Sequence, residues 1–131
     1  MLTKITVRFK RMKSGIKLIE ETDGQGPSAE QGDNVEFESQ AFLSRGDRAQ
    51  DRFATSTRLG SRQTIAGVEY SLLGMKVGGY RKVKISPHLA YRDAGVPDKV
   101  PPGAVMIFEL RVTGLTKVKR TPRKKYKNAP V

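Results

Sequence analysis

The chain has 131 residues and a mass of 14.5 kDa, enough for one domain with a modest core and no covalent staples. It has no cysteine and a single histidine, His88, which excludes a disulfide framework, thiol chemistry and a zinc site. The net charge of +12 sits at the ends: Lys4, Arg8, Lys10, Arg11 and Lys13 precede Ser14, Lys117, Lys119, Arg120, Arg123, Lys124, Lys125 and Lys127 follow Leu115, and neither stretch holds an acid.

The stretch between the basic ends is therefore neutral, and only the extensions would attract polyanions such as RNA, DNA or anionic lipid. The alternative is a solvated, disordered end that keeps the protein soluble. Retention on nucleic acid that falls steeply with salt marks the first, and its absence the second. MLTKITVRFKRMK has neither an apolar run of signal-peptide length nor a small-residue cleavage site, and no segment is long and apolar enough for a membrane span. A cytoplasmic, monomeric protein with no membrane contact is expected.

In chain order, Ile5, Val7 and Phe9 alternate with Thr6, Arg8 and Lys10, the period of a half-buried strand. GIKLIEE from Gly15 predicts a second strand, and TDGQGPSAEQGD is a turn-rich connector. Val35, Phe37 and then Ala41 to Leu43 predict a longer strand, with Glu38, Ser39 and Gln40 marking a bend or bulge. SRGDRAQDR reads as a polar loop or hairpin tip, and Phe53 to Leu59 as a further, Thr- and Ser-rich strand. Ala66 to Leu73 is the one predicted helix, with Val68, Leu72 and Met75 near one face and Gly74 as its stop. Strands over Tyr80 to Ser86 and Ala104 to Leu115 follow; in the second, Met106, Phe108, Leu110 and Val112 share a face. Several strands and one short helix give an α+β domain whose antiparallel sheet turns its apolar face to the helix.

The punctuation from Ile65 to Leu110 is more specific than the periodicity. IAGVEYSLLGMKVG, then ISPHLAY, Gly95, VPP and a closing MIFELRV strand resemble the FKBP family of peptidyl-prolyl isomerases in order and spacing, from about Gly15 to Leu115. The resemblance implies a strongly twisted half-barrel sheet wrapped around one short helix, with residues 1–13 as a basic N-terminal strand or arm, 14–115 as the FKBP-like domain and 116–131 as a basic, disordered tail. It also implies isomerisation of X-Pro bonds in proline-containing peptides or unfolded clients, with no cofactor and no metal.

Carried over residue by residue, the resemblance makes Tyr91 the tyrosine whose hydroxyl donates to a substrate carbonyl. It makes Ile65 the residue whose backbone N–H donates beside the proline and whose side chain lines the pocket, and Phe108 and Val100 pocket walls. Outside that order, Tyr91, Phe108 and Ile65 would read as ordinary core residues. Other positions depart from the pattern. Val68 stands where the family most often has tryptophan at the pocket floor, Ser39 where it has an early tyrosine, Ala49 and Gln50 where it has a Phe-Asp pair, and Arg92 where a glycine follows the loop tyrosine. Gln50 can still donate or accept a hydrogen bond, and Phe53 supplies an aromatic wall if the loop register shifts. Two readings of the pocket stay open: an isomerase with weakened pocket contacts, and a peptide-binding or chaperone module of the same fold without useful turnover. Alongside them stands recruitment of the domain to ribosomes or nucleic acid, with weak contact through its basic ends.

Overall fold

A computed structural model describes residues 5–118, with residues 5–12 described by their backbone alone. The strands are β1 (Ile5–Lys13), β2 (Ile16–Thr22), β3 (Asn34–Leu43), β4 (Arg48–Arg58), β5 (Tyr80–Ile85) and β6 (Met106–Thr116), and the helix is α1 (Ala66–Leu72). They form one antiparallel sheet in the order β1-β2-β5-β6-β3-β4. The expected α+β architecture, a sheet with one short helix against its apolar face, is the one observed.

The period-two alternation decides which side is core. Ile16 and Leu18 of β2, Val35, Phe37, Ala41 and Leu43 of β3, Val83 and Ile85 of β5, and Met106, Phe108, Leu110 and Val112 of β6 are buried on one face. Val68, Leu72 and Met75 from the helix and the turn after it close over them. The opposite face carries Glu20, Glu38, Gln40, Tyr80, Glu109 and Arg111, which line a shallow groove.

SRGDRAQDR, expected to be a polar loop or hairpin tip, holds the turn of the β3–β4 hairpin, but β4 begins earlier than its sequence suggests: RAQDR pairs with β3, with Ala41 opposite Gln50 and Phe42 opposite Arg48. β4 is an edge strand whose residues from Asp51 to Ser56 are exposed, so no apolar alternation marks it. The bulge expected around Glu38 to Gln40 is present as register shifts between Ser39 and Ala41 and between Ala41 and Phe42.

α1 has only seven residues, too few to be stable alone, and it is anchored at both ends. Arg81 of β5 donates to the carbonyls of Ser71 and Leu73, each at 2.8 Å, and pairs with Glu21 at 2.9 Å, so a largely buried guanidinium takes up the free carbonyls of the helix end. At the other end, the first-turn Glu69 accepts the N–H groups of Gly60 at 3.3 Å and Arg62 at 2.9 Å, which ties down the loop entering the helix.

Gly67 permits the closest approach of helix and sheet. A Cβ there would lie 2.5 Å from Ile85 Cγ2 and 2.9 Å from the Leu89 carbonyl oxygen. Gly67→Ala would gain up to about 1 kcal/mol of helix propensity, but the clash is expected to outweigh it and leave a net loss of about 1–3 kcal/mol. Denaturant melts of both proteins check this; an unchanged or raised midpoint would contradict the packing.

β6 runs to Thr116, and Lys117 and Val118 are held against Asp33 just ahead of β3. Asp33 is 0 % exposed and accepts from Lys117 Nζ at 2.6 Å and from the backbone N–H groups of Glu30 at 2.9 Å and Val118 at 3.2 Å. The remainder of the predicted basic tail, from residue 119, and residues 1–4 lie outside the described residues. No helix among the described residues is long and apolar enough to cross a membrane.

Candidate active site

Tyr91 follows a one-turn 3-10 helix, Pro87–Leu89, at the end of β5. Pro87 suits the start of that turn because its missing N–H would have no partner there. The Pro87 carbonyl accepts from Ala90 at 2.9 Å and from Arg92 at 2.8 Å, the Tyr91 carbonyl from Gly95 at 3.0 Å, and the Arg92 carbonyl from Gly103 at 2.8 Å. The backbone on both sides of Tyr91 is thus fixed. Arg92 adopts φ +55°, the left-handed conformation a glycine takes freely, at a cost of about 1–2 kcal/mol for a side-chain-bearing residue. Its side chain lines a separate cleft with Arg62, Glu69 and Tyr70.

A second turn faces Tyr91. Val96 and Val100 exchange backbone hydrogen bonds, both at 2.8 Å, and Lys99 N–H reaches the Val96 carbonyl at 3.0 Å. Pro97 in the second position and Asp98 at φ +65° in the third are the signature of a type II turn. The sheet supplies the remaining wall. Gln50, Ala41, Phe108 and Val83 are successive partners across β4, β3, β6 and β5, so their side chains form one row on the core face.

These three parts enclose a recess of about 120 Å³ lined by Tyr91, Val96, Lys99 and Val100 on the loop side and by Ala41, Ala49, Gln50 and Met106 on the sheet side. Met106 is fully buried and forms the bottom. The Tyr91 ring is half-buried, and its hydroxyl has no hydrogen-bond partner among the described residues. Burial pushes its pKa above the ordinary 10, so at neutral pH it is a protonated donor.

Of the residues singled out from sequence, Tyr91, Gln50 and Val100 therefore come together. Phe108 is 2 % exposed and lies within the core next to Ala41, behind the recess and not on its lining. Val68 is likewise buried in the core, while Met106, the first residue of the closing MIFELRV strand and not assigned a site role from it, takes the bottom. Ile65, expected to line the pocket with its side chain, is not among the residues lining the recess; it packs partly buried against the same core, its carbonyl starts α1, and its N–H has no acceptor among the described residues. Phe53 is paired with Ser39 on β4 and 42 % exposed, outside the recess lining. Val96 and Lys99 were not singled out from the sequence, where they fall in the loop between Gly95 and the VPP segment.

The family model described as FKBP-type peptidyl-prolyl cis-trans isomerase matches residues 26–113, which span the recess and both of its turns. The chain belongs to the FKBP family. It is 34 % identical over 111 residues to FK506-binding protein 1A of Neurospora crassa, covering 81 % of this chain and 92 % of that one. It is 29 % identical over 107 residues to the 39 kDa FK506-binding nuclear protein of Drosophila melanogaster, where the match covers 79 % of this chain but only 30 % of the longer protein. Among solved structures, the crystal structure of a peptidyl-prolyl cis-trans isomerase from Pseudomonas syringae pv. tomato superimposes with a TM-score of 0.73 at 26 % identity, covering 83 % of this chain and 81 % of the other. Within this FKBP frame the substituted positions have a physical description. Ser39 is buried at 3 % exposure, and Ala49 and Gln50 form a low, uncharged wall on the edge strand where the family pattern has an aromatic residue and a carboxylate.

Proposed function

We propose that this protein is a prolyl isomerase acting on X-Pro bonds of extended or unfolded chains in the cytoplasm, with the recess beside Tyr91 as its catalytic site. The observation that carries the reading is the convergence of Tyr91, Val100 and Gln50 on one small recess, lined by a phenol without a hydrogen-bond partner among the described residues. The chemistry needs no nucleophile, metal or cofactor. Rotation about an imide is opposed by a barrier of about 18–20 kcal/mol, most of it lost C–N conjugation.

The twisted transition state has a less polar carbonyl than the planar ground state, so apolar walls such as Val100, Val96 and Met106 favour it over the hydrated planar form. The proline ring occupies the recess. The Tyr91 hydroxyl donates to the carbonyl of the client, the Ile65 N–H donates to the peptide beside the proline, and Gln50 offers a neutral amide at the rim. Each donor accelerates rotation only as far as it binds the twisted geometry more tightly than the planar one.

Tyr91→Phe is expected to lower kcat/KM for a proline tetrapeptide about 5- to 30-fold, the worth of one hydrogen bond of roughly 1–2 kcal/mol. Stability should change little, because the hydroxyl has no partner among the described residues to lose. Exchange rates of the peptide measured by NMR check this. An unaltered rate would remove Tyr91 from the mechanism, and a parent protein that binds the peptide without accelerating it would favour the peptide-binding reading that Ser39 and Ala49, both smaller than the family residues, support.

A further inference from the structure

Resting on the isomerase reading, the charge inventory of the same recess carries a statement about its substrates. Among the described residues, the one ionisable group on its lining apart from Tyr91 is Lys99, and no carboxylate lines it. Gln50 is neutral. The Lys99 side chain is exposed and has no ion pair or side-chain hydrogen bond among the described residues.

Its place is not left to chance. The Val96 to Val100 turn is closed by three backbone hydrogen bonds, one of them from Lys99 itself, so the Cα of Lys99 is fixed at the rim even though the ammonium is free to move. Lys99 also borders a second, open depression of about 440 Å³, lined by Pro97, Pro101, Pro102 and Leu43, which shares Val96, Lys99 and Val100 with the recess. The charged groups of that depression are Asp98, Lys99 and Arg45, and Arg45 is already committed to Asp47 at 2.6 Å. Asp98 is confined to this outer side and does not line the recess. A chain whose proline enters the recess therefore passes an uncommitted cation with no opposing carboxylate on the recess wall.

We infer that Lys99 makes this isomerase select X-Pro bonds with an acidic residue beside the proline and disfavour those with a basic one. An exposed pair of this kind is a small, salt-screened attraction. It affects encounter and specificity more than the intrinsic rotation step.

The test is NMR exchange on Ala-Glu-Pro-Phe, Ala-Leu-Pro-Phe and Ala-Lys-Pro-Phe with the full chain at low and high salt, beside Lys99→Gln and Lys99→Glu. The expected result is a Glu-to-Lys ratio of kcat/KM of about 3–10, shrinking with salt, falling to near 1 in Lys99→Gln and inverting in Lys99→Glu. Because Lys99 is exposed on a turn held by backbone bonds, both variants should fold. Rates that rise above buffer for all three peptides but ignore their charge, or a ratio that survives Lys99→Glu, would overturn the inference and leave the isomerase reading standing. Acceleration of none of the three would instead refute the isomerase reading, and this inference with it.

Discussion

Phe108→Ala is expected to destabilise the protein by about 3–5 kcal/mol, the range for removing a large aromatic side chain from a close-packed core. Phe108 is among the largest fully buried side chains, at 2 % exposure, and lies in the row that runs from Val83 through Phe108 and Ala41 to Gln50. Its neighbours in that row are valine and alanine, and backbone hydrogen bonds hold all of the strands. They cannot move in to fill the hole, so the cavity term adds to the lost transfer energy. Phe108→Leu should cost clearly less because most of the volume is kept. Denaturant unfolding of the three proteins checks the order. A loss below about 1 kcal/mol in the alanine variant would show that Phe108 lines an open pocket and not the core.

Asp33 is expected to be the second large stabilising residue and the main source of acid sensitivity among the described residues. Burial is the largest single influence on its carboxyl and opposes ionisation. The hydrogen bond from Lys117, those from the Glu30 and Val118 N–H groups and the Lys117 charge together outweigh it and lower the pKa from 3.8 to about 2. The same bond raises the pKa of the Lys117 ammonium. Because the folded value is the lower one, the contribution is fully present above about pH 5 and is lost as the pH falls from there through about 2. Its size is on the order of 2 kcal/mol. Asp33→Ala also leaves the Glu30 and Val118 N–H groups without their acceptor, so a loss of about 2–4 kcal/mol at pH 7 is expected. Denaturant melts from pH 7 to pH 2 should show the parent and Asp33→Asn converging as acid is added. Curves that stay parallel would contradict the assignment.

The legible parts of this fold and site are those whose information is local in the chain. Gly74 as a helix stop, Pro87 as a strand end, and Gly95 with the VPP segment as loop breakers act within a few residues of themselves, so α1, the end of β5 and the loop after Tyr91 can be read without coordinates, whereas the 3-10 turn at Pro87–Leu89 is not announced. The alternation in β6 is legible because one of its faces is core and the other is wet. β4 was only half legible because an exposed edge strand has no such contrast, and its polar start, RAQDR, looks the same as a loop.

Depth is also silent in sequence. Phe108, Val68 and Met106 are all apolar residues on core faces. Which of them lines the recess follows from the three-dimensional packing and not from the pattern, and it is Met106. The Asp33 to Lys117 contact joins the approach to β3 with the end of β6 across 84 positions, and nothing near either residue announces it.

The most direct test of the central claim is the exchange rate between the cis and trans forms of Ala-Leu-Pro-Phe at a catalytic concentration of this protein, measured by NMR without a coupling protease. Uncatalysed exchange takes tens to hundreds of seconds. Acceleration well beyond that background, and its reduction in Tyr91→Phe at unchanged stability, is what a catalytic recess at Tyr91 predicts. Exchange no faster than in buffer, with the protein folded and the peptide in excess, would contradict it.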